Sequence, residues 1–306
     1  MKIVCIGGAH IDRYGLLGGP LIPGTSNPGR VATGFGGVAR NVAENLSRLG
    51  RSVLMVSRVG DDEAGRDVVR HLQSLAIDTS LVSVSADPTA SYTAILEPNG
   101  ELVLGLADMA IYDEITPALL EPALPQLLQC ELWFVDANLP AATLGWIAAA
   151  SSHLALTADA VSVVKSRKLT GILDWVSPLF LNLAQAASIL GVDSFPDASA
   201  AARAMSRRVL AGVVTAGAAG VAAWLKQEVR AMPAHPATAR NVTGAGDALI
   251  AGTLFGITGG AHRGNSGFFG AVQLGLEAAK ITVESGSTTA PDLNADRLYA
   301  AEASQD

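Results

Sequence analysis

The stretch VLMVSRVGDDEAGRDVVRHLQSL, residues 53–75, sets a strand and a helix back to back. Residues 53–56 are an unbroken apolar run, as expected of a strand with both sheet faces covered. Asp61 and Asp62 then offer a helix cap and favour its positive end, and Val68, Val69, Leu72 and Leu75 recur at i, i+1, i+4 and i+7. Working outward, similar apolar runs lie at 3–6, 132–135, 154–157, 179–183, 213–215 and 221–224, with helix-like segments between them. This alternation predicts an α/β fold, a mostly parallel sheet covered by helices on both faces.

The chain has 306 residues, 49% of them hydrophobic, so it can bury a large core, and disorder is excluded. Its 28 Asp+Glu outnumber its 21 Lys+Arg, for a net charge of −7. That balance argues against nucleic acid or an anionic membrane surface as a partner held by bulk electrostatics. Any phosphate must be gripped locally. Cys5 and Cys130 stand far apart, with neither a disulfide framework nor a zinc spacing. The opening apolar stretch is too short for the core of a signal peptide, so a cytoplasmic location is expected. The greasiest later run, 248–257, is about half the length of a bilayer span and predicts a buried helix. With no repeat or low-complexity linker, one domain over 1–306 is expected.

Two stretches break the rhythm. Residues 13–35 carry Gly18-Gly19-Pro20, Pro23-Gly24 and Pro28-Gly29. Residues 89–112 predict a hairpin, with strands at 92–96 and 102–106 around Pro98-Asn99-Gly100. Both segments can leave the main sheet together as a flap over its carboxyl edge, a plain surface hairpin being the alternative. The tail is expected to fray from about Ala300.

Three motifs carry chemistry. In the first, Asn241-Val242-Thr243-Gly244-Ala245-Gly246-Asp247, small residues open a helix. First-turn N–H groups point outward with partial positive charge, so Gly244, Ala245 and Gly246 would let a phosphate approach the backbone. Asp247 beside this anion hole is expected to stay ionised at neutral pH and to take a proton from an attacking hydroxyl. A Gly-rich helix start capped by Asp is the structural alternative. The second motif, Gly34-Phe35-Gly36-Gly37-Val38-Ala39-Arg40-Asn41, opens a helix with the stripe Val38, Val42, Leu46, Leu49, closed by Gly50. Asn41 suits a sugar hydroxyl at the helix mouth, with Gly36 and Gly37 permitting close approach, unless the backbone satisfies its amide. The third, Gly7-Gly8-Ala9-His10-Ile11-Asp12, puts a carboxylate past the end of the first strand, where Asp12 can accept two hydroxyls of one sugar ring. His10 is a further polar contact or a structural histidine. A Gly-x4-Gly-Lys-Ser/Thr loop, metal-binding His pairs and a Gly-x-Ser-x-Gly elbow are absent from the sequence.

Taken together, these stretches resemble the ribokinase-like (PfkB) family of carbohydrate and nucleoside kinases over essentially the whole chain. The resemblance rests on Gly7-Gly8 with Asp12, Gly36-Gly37 with Asn41, Asn182 after a strand, Val214-Thr215-Ala216-Gly217 with Gly220, and Thr243-Gly244-Ala245-Gly246-Asp247. Within the family, the runs 36–46 and 107–112, and Val161-Ser162 with Lys165, most resemble the subgroup that acts on pseudouridine. What this implies is a ribokinase-like fold with a small β lid, from 13–35 and 89–112, and an ATP- and Mg²⁺-dependent transfer of the γ-phosphate to the 5′-hydroxyl of a ribosyl substrate. Pseudouridine comes first and another nucleoside or sugar second. Carried over by position, Asp247 is the general base and Gly244, Ala245 and Gly246 the anion hole. Asp12, Gly36, Gly37 and Asn41 hold ribose hydroxyls, with Asn138 a further sugar contact. Asp108 and Tyr112 lie toward the base, Lys165 toward the base or a phosphate, and Asn182, Thr215, Gly217 and Gly220 around the nucleotide.

Two positions depart from the family pattern. The usual Asn-x-x-Glu, whose carboxylate helps organise magnesium, appears as Asn182-Leu183-Ala184-Gln185. Where potassium-binding relatives often have Asp, this chain has Asn241, so K⁺ beside Asn241 and Thr243 would be held more weakly. The Gln185 replacement motivates a third reading, a catalytically weak nucleoside-binding sensor. Of the basic run 165–168, all but Lys165 is expected to be a solvated face. An apolar outer face on the lid would favour a homodimer.

Overall fold

The computed structural model describes residues 1–151, 153–259 and 265–303. Its strands are β1 (Lys2–Ile6), β2 (His10–Leu17), β3 (Gly29–Gly36), β4 (Ser52–Gly60), β5 (Asp78–Ser85), β6 (Ser91–Leu96), β7 (Leu102–Asp108), β8 (Leu132–Asp136), β9 (Ala155–Asp159), β10 (Val176–Asn182), β11 (Ala211–Thr215), β12 (Val221–Leu225) and β13 (Glu228–Met232). Nine of them form one sheet in the order β13-β12-β11-β10-β9-β8-β1-β4-β5. Pairing is parallel from β11 through to β5, and β12 and β13 close one edge antiparallel.

Successive residues of one strand serve opposite cores. Ile3 and Cys5 pack on one face with Val53, Met55 and Phe134, under the helix Ala245–Thr258. Val4 and Ile6 pack on the other with Leu54, Val56, Trp133 and Val135. Covering both faces is why these runs are apolar without a break. The helix of the opening stretch spans Glu63–Ser74, and its Asp62 accepts the Gly65 N–H as the expected cap. The run 248–257 lies in Ala245–Thr258, where residues 248–256 are all buried.

Residues 13–35 and 89–112 contribute to a second sheet, of order β3-β2-β6-β7. The loop-like passage is largely strand: β2 begins ahead of it at His10, β3 lies at its end, and the two pair antiparallel along their whole length. The end of the second segment leaves the sheet as a 3-10 turn, Ala110–Glu114. Val31, Leu102, Leu104 and Leu106 of this sheet are exposed. Two boundaries shift elsewhere. Leu183 starts the helix Leu183–Leu190 instead of ending β10, and the tail from Ala300 runs on in a helix, Ala295–Ala303, with 304–306 outside the described residues.

Candidate active site

In an open α/β sheet, the crevice lies at the carboxyl ends of strands where the chain switches direction across the sheet. Here β1 stands between β4 and β8, so the switch falls at Gly7-Gly8 and at the end of β8. The second sheet departs from this point.

Asp136, the last residue of β8, is fully buried and accepts three backbone N–H groups, from Gly8 (2.9 Å), Ala39 (3.0 Å) and Asn138 (2.9 Å). It thereby ties the β1 exit, the start of the helix Val38–Arg48 and the turn after β8 into one cradle. Sequence reasoning missed it, although an acid closing a wholly apolar strand was its visible signal. Gly37, at φ 101°, packs so closely that a Cβ would sit on the Gly8 carbonyl, and a Cβ at Gly36 would meet the Asp12 carboxylate. Both glycines are required by close approach.

Asp12 lies on β2, nearly buried, with His10 Nε2 at 3.2 Å and the Tyr14 hydroxyl at 3.0 Å. His10 Nδ1 is 2.9 Å from the Tyr112 hydroxyl. A carboxylate only accepts, so His10 Nε2–H donates to Asp12, leaving Nδ1 to the Tyr112 hydroxyl. Tyr112 is 1% exposed and committed to His10, which corrects the expectation that it faces a nucleobase. His10 and Tyr112 instead hold Asp12.

Asp247, half-buried at the first turn of Ala245–Thr258, receives the Asn41 amide at 2.6 Å. Asn41 is thus engaged with a carboxylate, where the sequence indicated a sugar contact or an amide satisfied by backbone. Burial pushes the Asp247 carboxyl up to about 7; the Asn41 bond and the Arg40 charge act downward, and Asp136 and Asp12 upward. Desolvation therefore outweighs the helix end that was expected to keep this group fully ionised. A carboxyl poised near neutrality can take up or release a proton at neutral pH. Gly244 takes φ 82° as the N-cap and no side chain caps this end. Ala245 donates its N–H to the Val242 carbonyl at 3.3 Å, so Gly246 and Asp247 supply the outward first-turn N–H groups.

Asn138 follows β8, and its Oδ1 accepts Lys165 Nζ at 2.5 Å. Burial lowers the Lys165 ammonium from its usual range, and its Nζ also lies 3.5 Å from the Met109 sulfur. Lys168, expected on a solvated face, donates to the Asn138 and Leu139 carbonyls at 3.3 and 3.0 Å. Asp108, at the end of β7, is exposed beside Met109. Asp159, another acid closing a strand, was also missed. Burial, with Asp247 and Asp136 nearby, raises its carboxyl to about 8, against a 2.7 Å bond from the Val161 N–H.

Farther along the same edge, Asn182 and Thr215 lie opposite each other at the ends of β10 and β11, and Gly217 and Gly220 bound the turn into β12. Asn182 and Gln185 form a reciprocal capping box, with bonds of 2.9 and 2.7 Å. Asn241 Oδ1 accepts the Thr243 N–H at 2.9 Å. Among the described residues, no three His, Cys, Asp or Glu side chains are grouped to hold a metal ion.

A nine-stranded doubly covered sheet, a small side sheet at its carboxyl edge and an acid beside an open helix start define a ribokinase-like fold with a phosphoryl-transfer type of site. The pfkB family carbohydrate kinase profile matches residues 1–295, and the chain belongs to that family. It is 29% identical to the pseudouridine kinase of Escherichia coli over 266 residues, covering 82% of each chain. A carbohydrate kinase from Agrobacterium tumefaciens superposes with a TM-score of 0.84 at 35% identity, over 98% of this chain and 96% of that one. Ribokinase from Giardia lamblia has the same fold, with a TM-score of 0.89 at 20% identity over 100% and 99% of the two chains.

Proposed function

We propose that the protein is an ATP-dependent kinase that phosphorylates the 5′-hydroxyl of a ribosyl compound, pseudouridine first among them. The observation that carries this reading is the Asn41–Asp247 pair at an uncapped helix start, with Asp12 held ready by His10 and Tyr14. ATP supplies the phosphoryl group. Asp12 accepts hydroxyl protons of the ribose, and Asp247 takes the proton of the attacking hydroxyl. Gly246 and Asp247 turn backbone N–H groups toward the phosphoryl charge, while Asn182, Thr215, Gly217 and Gly220 line the nucleotide side. The four-stranded sheet is the lid over this edge, and its exposed apolar residues support a homodimer. Potassium would have to share Asn241 Oδ1 with the Thr243 N–H. The likeness to the Escherichia coli pseudouridine kinase favours that substrate, with Asn138 at the sugar and Lys165 and Asp108 toward the base. Another ribonucleoside or sugar is the second reading, favoured by Tyr112 being spent on His10.

The test is ADP formation with Mg·ATP against pseudouridine, uridine, cytidine, inosine, adenosine and ribose, with product mass confirming the transferred phosphate. Selective turnover of pseudouridine supports the first reading, and turnover of another compound the second. Binding without turnover refutes the kinase.

Gln185→Glu is expected to keep the capping box, because a carboxylate oxygen can still accept the Asn182 N–H. The added charge should lower the Mg²⁺ concentration for half-maximal rate. An unchanged metal dependence would place residue 185 away from the ion.

A further inference from the structure

Arg40 lies in the first turn of Val38–Arg48 and is 1% exposed. One end of its guanidinium donates to Asn41 Oδ1 and to the Phe35 carbonyl at 2.9 Å; the other donates to Glu44 Oε2. Glu44 in turn receives Arg48 at 2.7 and 3.0 Å and His71 at 3.0 Å. The His71 ring stacks on Phe35, with centroids 4.1 Å apart and planes 14° from parallel. Three elements thus fasten one cation: the end of β3, the helix Val38–Arg48 and the helix Glu63–Ser74.

A side-chain amide can turn over, exchanging its donor and acceptor ends. Facing a carboxylate, only the nitrogen end is useful, since the oxygen end would repel it. Arginine has donors and no acceptor, so it can bind only the amide oxygen. That leaves the nitrogen of Asn41 to point at Asp247. Resting on Asp247 as the base, we infer that Arg40 is a positioning residue: it fixes the direction of the Asn41 amide and so aims the Asp247 carboxylate. Glu44, with Arg48 and His71, holds Arg40 in place. The reading goes beyond a buried ion pair that merely stabilises the helix, because it makes the proton affinity of Asp247 depend on residue 40. The charged groups facing Asp247 are Arg40, Asp12, Asp136 and Asp159. Arg40 is the one cation among these four.

The experiment follows the Asp247 carboxyl directly, by ¹³C NMR of full-length protein labelled at aspartate Cγ. The resonance is identified by its loss in Asp247→Asn. Arg40→Met keeps an apolar stem and removes both the charge and the donors. In this variant Asp247 should bind its proton about tenfold more tightly than in the wild type, a displacement of about one pH unit. Turnover of pseudouridine with Mg·ATP should fall about tenfold or more in kcat, with KM changing far less. Arg40→Lys keeps a charge but not the fork, and should fall between the two.

An Asp247 titration unchanged in folded Arg40→Met overturns the inference. If that variant does not fold, Arg40→Lys decides, and wild-type titration there overturns it equally. The base assignment fails separately, if Asp247→Asn turns over normally. That outcome would leave the titration result for Arg40 standing.

Discussion

Asp247→Asn is expected to cut turnover by about 10²- to 10⁴-fold while the nucleoside still binds, the usual cost of removing a general base. The substitution is isosteric, and its amide oxygen can still accept the Asn41 Nδ2–H, so the local frame survives. Only the proton acceptor is lost. Calorimetry with the nucleoside and a coupled ADP assay measure the two effects separately, and full activity in the variant would sink the assignment. In the wild type, the active form is the ionised one. With its carboxyl pushed up to about 7, turnover should rise as the pH is raised through neutrality and be lost as it falls. Asp247→Asn should remove that limb from whatever rate remains.

Gly246→Val should be nearly as damaging for a different reason. A Cβ at Gly246 meets nothing within 4 Å, so the fold tolerates a side chain there, and melting should stay close to the wild type. The valine would occupy the space through which a phosphate reaches the first-turn N–H groups. Loss of one such donor typically costs about 10²- to 10³-fold in kcat, and blocking the approach should cost at least that. Wild-type turnover in a folded Gly246→Val would remove the anion hole from the mechanism. Gly244 cannot serve for this test, because a Cβ there would strike the Thr288 carbonyl at φ 82° and disturb the backbone itself.

The large sheet was legible because its strands are covered on both faces: residues 3–6, 53–56 and 132–135 are apolar throughout. The helix starts at 37 and 244 were legible from their glycines. β2 and β3 were not, since both are partly exposed strands joined by a Gly/Pro-rich passage that looks like a loop. β5 and β13 are edge strands with mixed patterns, DTSLVSVS and EVRAM, which carry little periodic signal. The candidate site divides in the same way. Asp12, Asn41 and Asp247 stand in short glycine-rich motifs whose local geometry dictates what they can do. Arg40, Glu44 and His71 come together from sequence positions up to 31 residues apart, and Tyr112 meets His10 across 102. Arg40 and Glu44, four apart on one helix, carry a local signal, but nothing local marks His71 or the Tyr112–His10 pair, which tertiary packing brings together.

The central place of β1 also shapes how this chain is made. Ile3 pairs with Val53 on one side and with Leu132 on the other. The second pairing spans 132 − 3 = 129 residues, which at about 5–20 residues per second takes a ribosome roughly 6–26 s to synthesise. Through that interval β1 has one edge unsatisfied, and the Gly7-Gly8 turn beyond it lacks Asp136. A nascent chain interrupted before β8 therefore presents an apolar, unpaired strand edge, the kind of surface that recruits chaperones or seeds aggregation.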